Sequence, residues 1–160
     1  MDREEEQRQD IRLEAIMHPG ASVTPDVPAR EVLKIMLENN VPGVTVLEDE
    51  RPIGFITDGI LLASALPKYL SMIEDLSFVT ESGDALVHYL TKVADKPVRE
   101  LMSPDVSQIE LGTSELEAAR KMVREGVSSV VVTENGKMVG IVTRLDLYGA
   151  IVGLKSTDGA

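Results

Sequence analysis

Cysteine and tryptophan are absent from this 160-residue sequence, and only 3% of its residues are aromatic. Without cysteine the chain has no disulfide framework, no thiolate metal ligand and no thiol nucleophile. The apolar fraction is nevertheless 43%, which is typical of a globular protein. We therefore expect a packed core made of valine, isoleucine, leucine and methionine rather than of aromatic rings.

Positive charge is also scarce, because 16 lysine and arginine residues stand against 27 aspartate and glutamate residues, giving a formal net charge of −11. Non-specific binding of nucleic acid depends on basic residues, so nucleic acid is not an expected partner. No apolar run approaches the roughly 18 residues that a membrane-spanning helix needs, and residues 1–6 do not resemble a secretion signal. These absences predict a cytoplasmic protein with no membrane partner.

The sequence contains an internal repeat. Residues 41–57 return as residues 127–143, so that Gly54 matches Gly140 and Thr57 matches Thr143. Upstream, the Met-x-Pro segment at residues 16–19 returns at residues 101–104. A chain of this length has little surface to bury in each copy alone. We therefore expect two similar halves that share one core.

Each copy is predicted to fold as strand, helix, strand, strand, helix. Tight turns at 48–51 and 134–137 are expected to join the paired strands, and a second helix is expected to begin after Thr57 and after Thr143. The first helices are predicted at residues 30–39 and 115–125. The apolar residues predicted to face the core are Val32, Ile35 and Met36 in one helix and Leu116, Ala119, Met122 and Val123 in the other.

These boundaries divide the chain into five parts. They are a charged tail (1–14), the first copy (15–66), an insert (67–97), the second copy (98–154) and a C-terminal tail (155–160). Apolar residues of the insert recur at helical spacing over residues 84–94. The fold class is therefore α/β (α+β), with two β-α-β-β-α repeats and an extra helical insert that packs on the repeats or on a partner.

The repeat and residues 140–146, Gly-Ile-Val-Thr-Arg-Leu-Asp, together resemble the cystathionine β-synthase (CBS) domain family, whose paired unit is called a Bateman module. The resemblance covers about residues 16–65 and 101–151. It implies a pseudo-twofold pair of repeats with two clefts, and a homodimer of such pairs. It also implies that a cleft accepts an adenosine derivative such as AMP, ADP, ATP or S-adenosylmethionine as a regulatory ligand, with no cofactor required.

The second copy matches the family's ligand motif, Gly-hydrophobic-x-Thr/Ser-x-x-Asp, residue by residue. Thr143 is expected beside a phosphate at a helix start, Arg144 adds a positive charge there, and Asp146 is expected to accept hydrogen bonds from the ribose hydroxyls. Gly140 is expected to let the backbone approach the ligand. The residues expected to line the adenine are Ser107, Gln108, Ile109, Val127, Ser128, Ser129, Val130 and Ile141.

The first copy departs from this motif. It keeps Gly54 and Thr57, but Asp58 stands where the second copy has Arg144, and Ile60 stands where it has Asp146. The ribose carboxylate is lost, and a carboxylate 4–6 Å from a phosphate costs on the order of 1–4 kcal/mol. We therefore expect this second cleft to be empty, weak or adapted to another ligand.

Other interpretations stay open. Thr143 and Asp146 also fit an ordinary helix cap, in which case the chain is a ligand-free dimerisation module.

His18 and His88 have no second ligand at metal-binding spacing, so a structural role and no metal site are expected. The sequence offers no nucleophile–base pair and no phosphate loop, so no catalysis is expected. A sensor would signal through repeat or dimer orientation, which a separate effector protein could read.

Overall fold

The computed structural model of the protein describes residues 12–75, 77 and 83–153. The α-helices are α1 (Leu13–Ile16), α2 (Ala29–Asn39), α3 (Asp58–Ala65), α4 (Lys68–Ser71), α5 (Ala85–Ala94), α6 (Glu115–Glu125) and α7 (Arg144–Val152), and a 3-10 helix spans Val98–Glu100. The strands are β1 (Ser22–Val23), β2 (Gly43–Glu48), β3 (Arg51–Thr57), β4 (Gln108–Glu110), β5 (Ser129–Glu134) and β6 (Lys137–Thr143). No helix within the described ranges is long and apolar enough to cross a membrane. The predicted C-terminal tail and residues 1–11 of the N-terminal tail lie outside the described residues.

The described residues form two compact units, and the division does not follow the sequence repeat. The central unit holds residues 21–105 and the sheet β1–β3, whereas the terminal unit joins residues 12–20 to residues 106–153 and the sheet β4–β6. The segment that opens each copy thus packs in the unit that carries the other copy's sheet. Each unit has its own cluster of buried apolar residues, in place of the single core that we expected.

The two units contain the same three-stranded sheet. In the central unit β1 runs parallel to β2, and β2 runs antiparallel to β3. In the terminal unit β4, β5 and β6 repeat this arrangement. The antiparallel register shifts between Val46 and Leu47 and, at the matching position of the repeat, between Val132 and Thr133. Because even this irregularity recurs, the two copies share one backbone path.

Both predicted hairpin turns are present. The central residues have φ angles of 50° at Asp49 and 65° at Glu50, and of 52° at Asn135 and 77° at Gly136. Two successive positive φ angles give a turn whose twist matches that of the flanking strands. Gly136 adopts this conformation without the Cβ clash that any other residue meets there.

The predicted helices are also present at nearly the expected positions. α2 follows Pro28, and α6 follows Ser114, whose hydroxyl accepts a 3.2 Å hydrogen bond from the backbone N–H of Glu117. α3 and α7 begin directly after Thr57 and Thr143. The insert contains α5, as its apolar spacing predicted.

The predicted core face of α6 is wrong in part. Ala118 and Met122 are the buried residues of this helix, whereas Leu116 is 74% exposed and Val123 is 83% exposed. Leu116 and Val123 are seven residues apart and form a second stripe along the helix. α7, which packs against α6, has further exposed large apolar residues. Together these residues, called here the exposed α6–α7 set, are Leu116, Val123, Leu145, Tyr148, Ile151 and Val152.

The folded part of the chain begins earlier than the predicted tail boundary at residue 14. Leu13 is 1% exposed and belongs to the core cluster of the terminal unit together with Val130 and Val142. Arg12 forms an isolated antiparallel bridge with Ser114. Residues 12–14 are therefore part of the terminal unit rather than of a solvated tail.

The burial of Leu13 predicts a large loss of stability when its side chain is removed. Leu13→Ala should lower the free energy of unfolding by about 2–5 kcal/mol, because it leaves a cavity in a packed core. Urea denaturation followed by circular dichroism measures this loss. The control is Leu37→Ala on α2, because Leu37 is 82% exposed and its truncation should change stability by less than about 0.5 kcal/mol. Equal midpoints for the two variants would show that residues 12–14 are not part of the core.

Candidate functional site

The candidate site lies where β6 ends and α7 begins. Thr143 is the N-cap of α7, and its Oγ1 accepts a 3.1 Å hydrogen bond from the backbone N–H of Asp146. In return Asp146 Oδ2 accepts a 2.7 Å hydrogen bond from the backbone N–H of Thr143. This reciprocal arrangement is a capping box, which satisfies two backbone donors that a helix start leaves open.

Asp146 is an unusual member of such a cap because it is buried. Its side chain is only 1% exposed, although most capping carboxylates lie at the surface. Oδ2 also accepts a 2.8 Å hydrogen bond from Thr143 Oγ1, and His18 Nε2 lies 3.2 Å from it. The N–H and the hydroxyl of Thr143 and the imidazole nitrogen of His18 therefore surround one oxygen.

The other carboxylate oxygen of Asp146, Oδ1, lies in a different environment. Oδ1 is buried and has no hydrogen-bond partner in the part of the chain that the structure describes. Leaving a buried acceptor unsatisfied costs about 1–3 kcal/mol, and more for a charged group. The site thus contains one buried carboxylate oxygen without a hydrogen-bond partner among the described residues.

The segment before β1 places His18 beside β6, close to Asp146. The backbone N–H of His18 donates to the carbonyl of Ile141 at 3.1 Å, and the N–H of Ile141 donates to the carbonyl of His18 at 2.9 Å. His18 therefore extends the sheet by one bridge on the free edge of β6. These two hydrogen bonds, and the burial of Leu13 in the preceding helix α1, restrict the positions that the imidazole can take.

Gly140 contacts residues 17 and 18 of the chain, whereas we expected it to let the backbone approach a ligand. A Cβ at this position would lie 3.0 Å from Met17 Sδ and 3.1 Å from the carbonyl oxygen of His18. Both distances are tighter than ordinary van der Waals contact. The absence of a side chain at Gly140 thus admits the chain's own Met17–His18 segment to the strand.

The phosphate-binding groups expected at the start of α7 are partly engaged by the chain itself. The single hydroxyl hydrogen of Thr143 goes to Asp146. The backbone N–H of Arg144 donates to the carbonyl of Ser128 at 3.0 Å, and that of Asp146 donates to Thr143. Arg144 itself is exposed, so its guanidinium is the positive group that can reach a ligand.

The residues predicted to line an adenine fall into several environments. Val130 is 1% exposed and lies in the core cluster of the terminal unit, so its side chain is closed to a ligand. Ile109 and Ile141 are each 8% exposed. The half-buried members of the predicted set are Ser107, Val127 and Ser129, and the exposed members are Gln108 and Ser128.

Ser107 provides a second unsatisfied polar atom. Its Oγ is buried and makes no hydrogen bond of normal geometry with the described residues. A hydrogen bond from Lys121 lowers the pKa of the Glu125 carboxyl, and the nearby Ser107 hydroxyl lowers it further. Its backbone carbonyl accepts a 2.8 Å hydrogen bond from the N–H of Val131. The hydroxyl is thus held beside the sheet with capacity for one more partner.

The corresponding place in the central unit lacks this chemistry. Thr57 Oγ1 caps α3 by accepting a 3.1 Å hydrogen bond from the N–H of Ile60, and Ile60 has no carboxylate to complete a capping box. Asp58 is exposed and accepts a 2.7 Å hydrogen bond from the N–H of Gly59. Gly54 lies against Met102, whose sulfur a Cβ at Gly54 would overlap. This unit therefore has the backbone of the site without its buried charge.

Sequence reasoning missed His18, which we expected to be merely structural. A signal was present, because the segment at 16–19 repeats at 101–104. The residue that matches His18 is Ser103, and the residue that matches Asp146 is Ile60. An imidazole and a carboxylate thus belong to one unit, and their replacements belong to the other. The sequence alone does not show this pairing, because residues 16–19 of the first copy join the sheet of the second copy, and residues 101–104 join the sheet of the first.

Comparison with known proteins identifies two matching regions. The family model described as "CBS domain" matches residues 13–66 and 98–153. A CBS domain-containing protein of Arabidopsis thaliana, CBSX1, chloroplastic, is 29% identical over 140 residues, which are 83% of this chain and 59% of that protein. The uncharacterized protein MJ1404 of Methanocaldococcus jannaschii is 27% identical over 76% of this chain and 27% of its own length. The chain thus spans less than two thirds of these relatives.

Solved structures share the fold. A CBS domain-containing protein of unknown function from Kribbella flavida superposes with a TM-score of 0.75 at 23% identity, covering 89% of this chain and 99% of the other. Protein MJ1225 of Methanocaldococcus jannaschii, described as a putative archaeal homolog of g-AMPK, gives a TM-score of 0.71 at 16% identity, covering 90% and 49%. At these identities the likeness concerns the fold alone.

The two threonine caps predict unequal losses of stability. Thr143→Ala removes the acceptor for one backbone N–H and a donor to a buried carboxylate, so it should lower the free energy of unfolding by about 1–2 kcal/mol. The matched variant Thr57→Ala removes only an acceptor, and should cost about 0.5–1 kcal/mol. Chemical denaturation of both variants measures the difference. An equal or larger loss for Thr57→Ala would show that the carboxylate of Asp146 does not depend on its cap.

Proposed function

The chain belongs to the CBS domain family, and on this basis we propose that it is a non-catalytic regulatory module that binds one adenosine-containing ligand per chain in its terminal unit. AMP, ADP, ATP and S-adenosylmethionine are the candidate ligands. The ligand contacts the start of α7, with Asp146 as the residue that recognises the ribose. A partner protein or a second copy of the chain reads the bound state.

The observation that carries this proposal is the unsatisfied Oδ1 of Asp146. A buried carboxylate is stable only when donors surround it, yet the donors to Asp146 from the described residues reach Oδ2 and not Oδ1. A ribose hydroxyl that donates to Oδ1 forms a charge-assisted hydrogen bond and removes the cost of the unsatisfied acceptor. This gain is specific to a ligand with a donor at that point.

Other features of the terminal unit support a nucleotide as the ligand class. The exposed guanidinium of Arg144 offsets locally the repulsion that a net charge of −11 exerts on a phosphate. The buried hydroxyl of Ser107 can bond to the edge of a base. The nearly buried Ile109 and Ile141 provide apolar surface at the margin of the sheet.

The central unit is not expected to bind the same ligand. Ile60 offers no acceptor for a ribose, and the exposed carboxylate of Asp58 repels a phosphate. We therefore expect a stoichiometry of one ligand per chain.

The first test is the binding of adenosine compounds to protein stripped of nucleotide. Isothermal titration and thermal shift with AMP, ADP, ATP, NAD and S-adenosylmethionine should show saturable binding of at least one compound, with a melting temperature that rises with ligand concentration. Asp146→Asn keeps the size of the side chain and one acceptor for the cap, but replaces the other acceptor with a donor. It should weaken binding roughly ten- to a hundred-fold, and Asp146→Ala should weaken it at least as much.

The matched control is Asp58→Ala, which removes the first-turn carboxylate of the other copy. It should leave the affinity for the ligand within about twofold, because this side chain is exposed and lies in the unit without the carboxylate site. Unchanged affinity in Asp146→Asn would refute the assignment of the site. Absence of binding by every compound would favour a ligand-free assembly module.

The exposed α6–α7 set favours assembly as a second function. Six large apolar side chains are exposed on two helices that pack against each other, and exposed apolar surface of this kind is typical of an interaction site. A second copy of the chain offers the same apolar helices, so that the two surfaces can cover each other about a twofold axis. We propose a homodimer built on α6 and α7, with or without ligand.

The homodimer predicts that a charge on α7 prevents association. Ile151→Glu replaces a side chain that is 76% exposed, and should convert a dimer into a monomer because a buried unpaired carboxylate is strongly unfavourable. Light scattering after size-exclusion chromatography measures the mass. Glu134→Lys, an exposed change at the β5–β6 hairpin, is the control and should remain dimeric. A dimer that survives Ile151→Glu would place the interface elsewhere.

A further inference from the structure

The two copies differ in how much apolar surface their paired helices expose. Positions of α6 and α7 match positions of α2 and α3 in the register in which Gly140 matches Gly54. The exposed α6–α7 set therefore has six counterparts in the central unit, which are Arg30, Leu37, Gly59, Leu62, Ala65 and Leu66. Of these six, only Leu37 and Leu62 are large apolar residues with exposed side chains. The central unit thus lacks most of the apolar surface that the terminal unit presents.

The insert helix α5 accounts for part of this difference, because it packs against both α2 and α3. Its inner face, formed by Tyr89, Leu90 and Val93, packs in the core cluster of the central unit. Ala65 of α3 belongs to the same cluster and is 8% exposed, whereas its counterpart Ile151 is 76% exposed. α5 therefore occupies a place on α3 that the described residues of the terminal unit leave open on α7.

Two residue differences between the copies fit this arrangement. Ala65 is small enough to lie beneath a packed helix, while an isoleucine at this position would take up part of the space that α5 fills. Arg30, the counterpart of the exposed Leu116, forms an ion pair with Asp95, which is the C-cap residue of α5. The central unit thus has a small side chain and a charge at positions where the terminal unit has large apolar residues.

The matching stretch of the first copy has a different composition from α5. Pro97, which follows α5 by three residues, forms the isolated bridge that Arg12 forms in the terminal unit. In this register residues 2–9 match α5, and every one of them is polar or charged. Arg8, for example, stands where α5 has Val93. A charged side chain is costly to bury against an apolar surface, whereas α6 and α7 of a second copy offer an apolar surface.

We propose that α5 is an intramolecular cover of the central unit, which confines self-association of the chain to the exposed α6–α7 set. This inference rests on the homodimer proposed above and adds what limits it. With one apolar surface per chain, two copies cover each other about a twofold axis, and the assembly closes at two. If α3 were uncovered, each chain would have a second apolar surface, through which dimers would join into larger assemblies.

The absence of cysteine allows a test with single introduced thiols. Leu37→Cys and Val123→Cys form a matched pair, because the two residues occupy the same position of the repeat and are 82% and 83% exposed. Their rates of maleimide labelling are measured on the full chain from dilute to concentrated protein, with the mass followed by light scattering. Labelling of Val123→Cys should slow in proportion to the fraction of dimer, because the core of an interface excludes the reagent. Labelling of Leu37→Cys should not change.

The outcomes separate this inference from the homodimer on which it rests. Slower labelling of both thiols on association would leave the homodimer in place and overturn the role of α5, because the central unit would then pair as well. A dimer in which neither thiol is protected would contradict the proposed interface on α6 and α7, and the inference would fail with it. A monomer at every concentration would have the same consequence.

The role of α5 itself is tested by weakening its contact with α3 in chains that carry Leu37→Cys. Val93→Asp places a charge in the core cluster that α5 shares with α3, and Leu90→Ser is a milder variant in case the first does not fold. Hydrogen exchange of the α5 backbone measures the release of the helix. Release should raise the mass above that of a dimer and slow the labelling of Leu37→Cys at high concentration.

The matched control for these variants is Val87→Ser, on the outer side of the same helix, where Val87 is 65% exposed. It should keep both the dimer mass and the labelling rate of the parent, because it leaves the contact with α3 intact. A folded variant with a released α5, an unchanged dimer mass and unchanged labelling of Leu37→Cys would overturn the proposal.

Discussion

The close approach of a methionine segment to a strand glycine is the constraint on which the rest of the structure depends. Met17 lies over Gly140 in the terminal unit, and Met102 lies over Gly54 in the central unit. In both cases the next residue forms an antiparallel bridge with the strand, His18 with Ile141 and Ser103 with Phe55. A Cβ on either glycine would crowd the methionine side chain, and at Gly140 it would also crowd the carbonyl oxygen of His18. The bare backbone at these two points thus permits each opening segment to join the other copy's sheet.

The sequence predicted local structure well, because local signals have local causes. The Asn-Gly turn at residue 135 and the cap at Ser114 are each determined by a few neighbouring atoms, and both occur as expected. The prediction for α6 failed at Leu116 and Val123 because helical periodicity defines stripes without showing which one packs on the sheet. Here the stripe with the small Ala118 does so.

The exchange of opening segments could not be predicted from the sequence. Both sheets offer a glycine at the same position, and both segments carry the same Met-x-Pro pattern, so the repeat allows either pairing. The contact between His18 and Asp146 depends on this choice, since the two residues are 128 positions apart in the chain. The motif therefore located Thr143 and Asp146 but gave no reason to include His18 in the site.

The difference between the two units follows from the cost of a buried carboxylate. Asp146 can be buried because the N–H and the hydroxyl of Thr143 donate to it and the His18 imidazole lies beside it. An isolated carboxylate in that place would lose several kcal/mol of hydration. At the matching positions the central unit has Ser103 and Ile60, and Ile60 packs partly buried against the apolar cluster there. A carboxylate at position 60 would lack the imidazole, and an imidazole at position 103 would lack the carboxylate. The buried carboxylate and the imidazole thus occur together in one unit, and the other unit has neither.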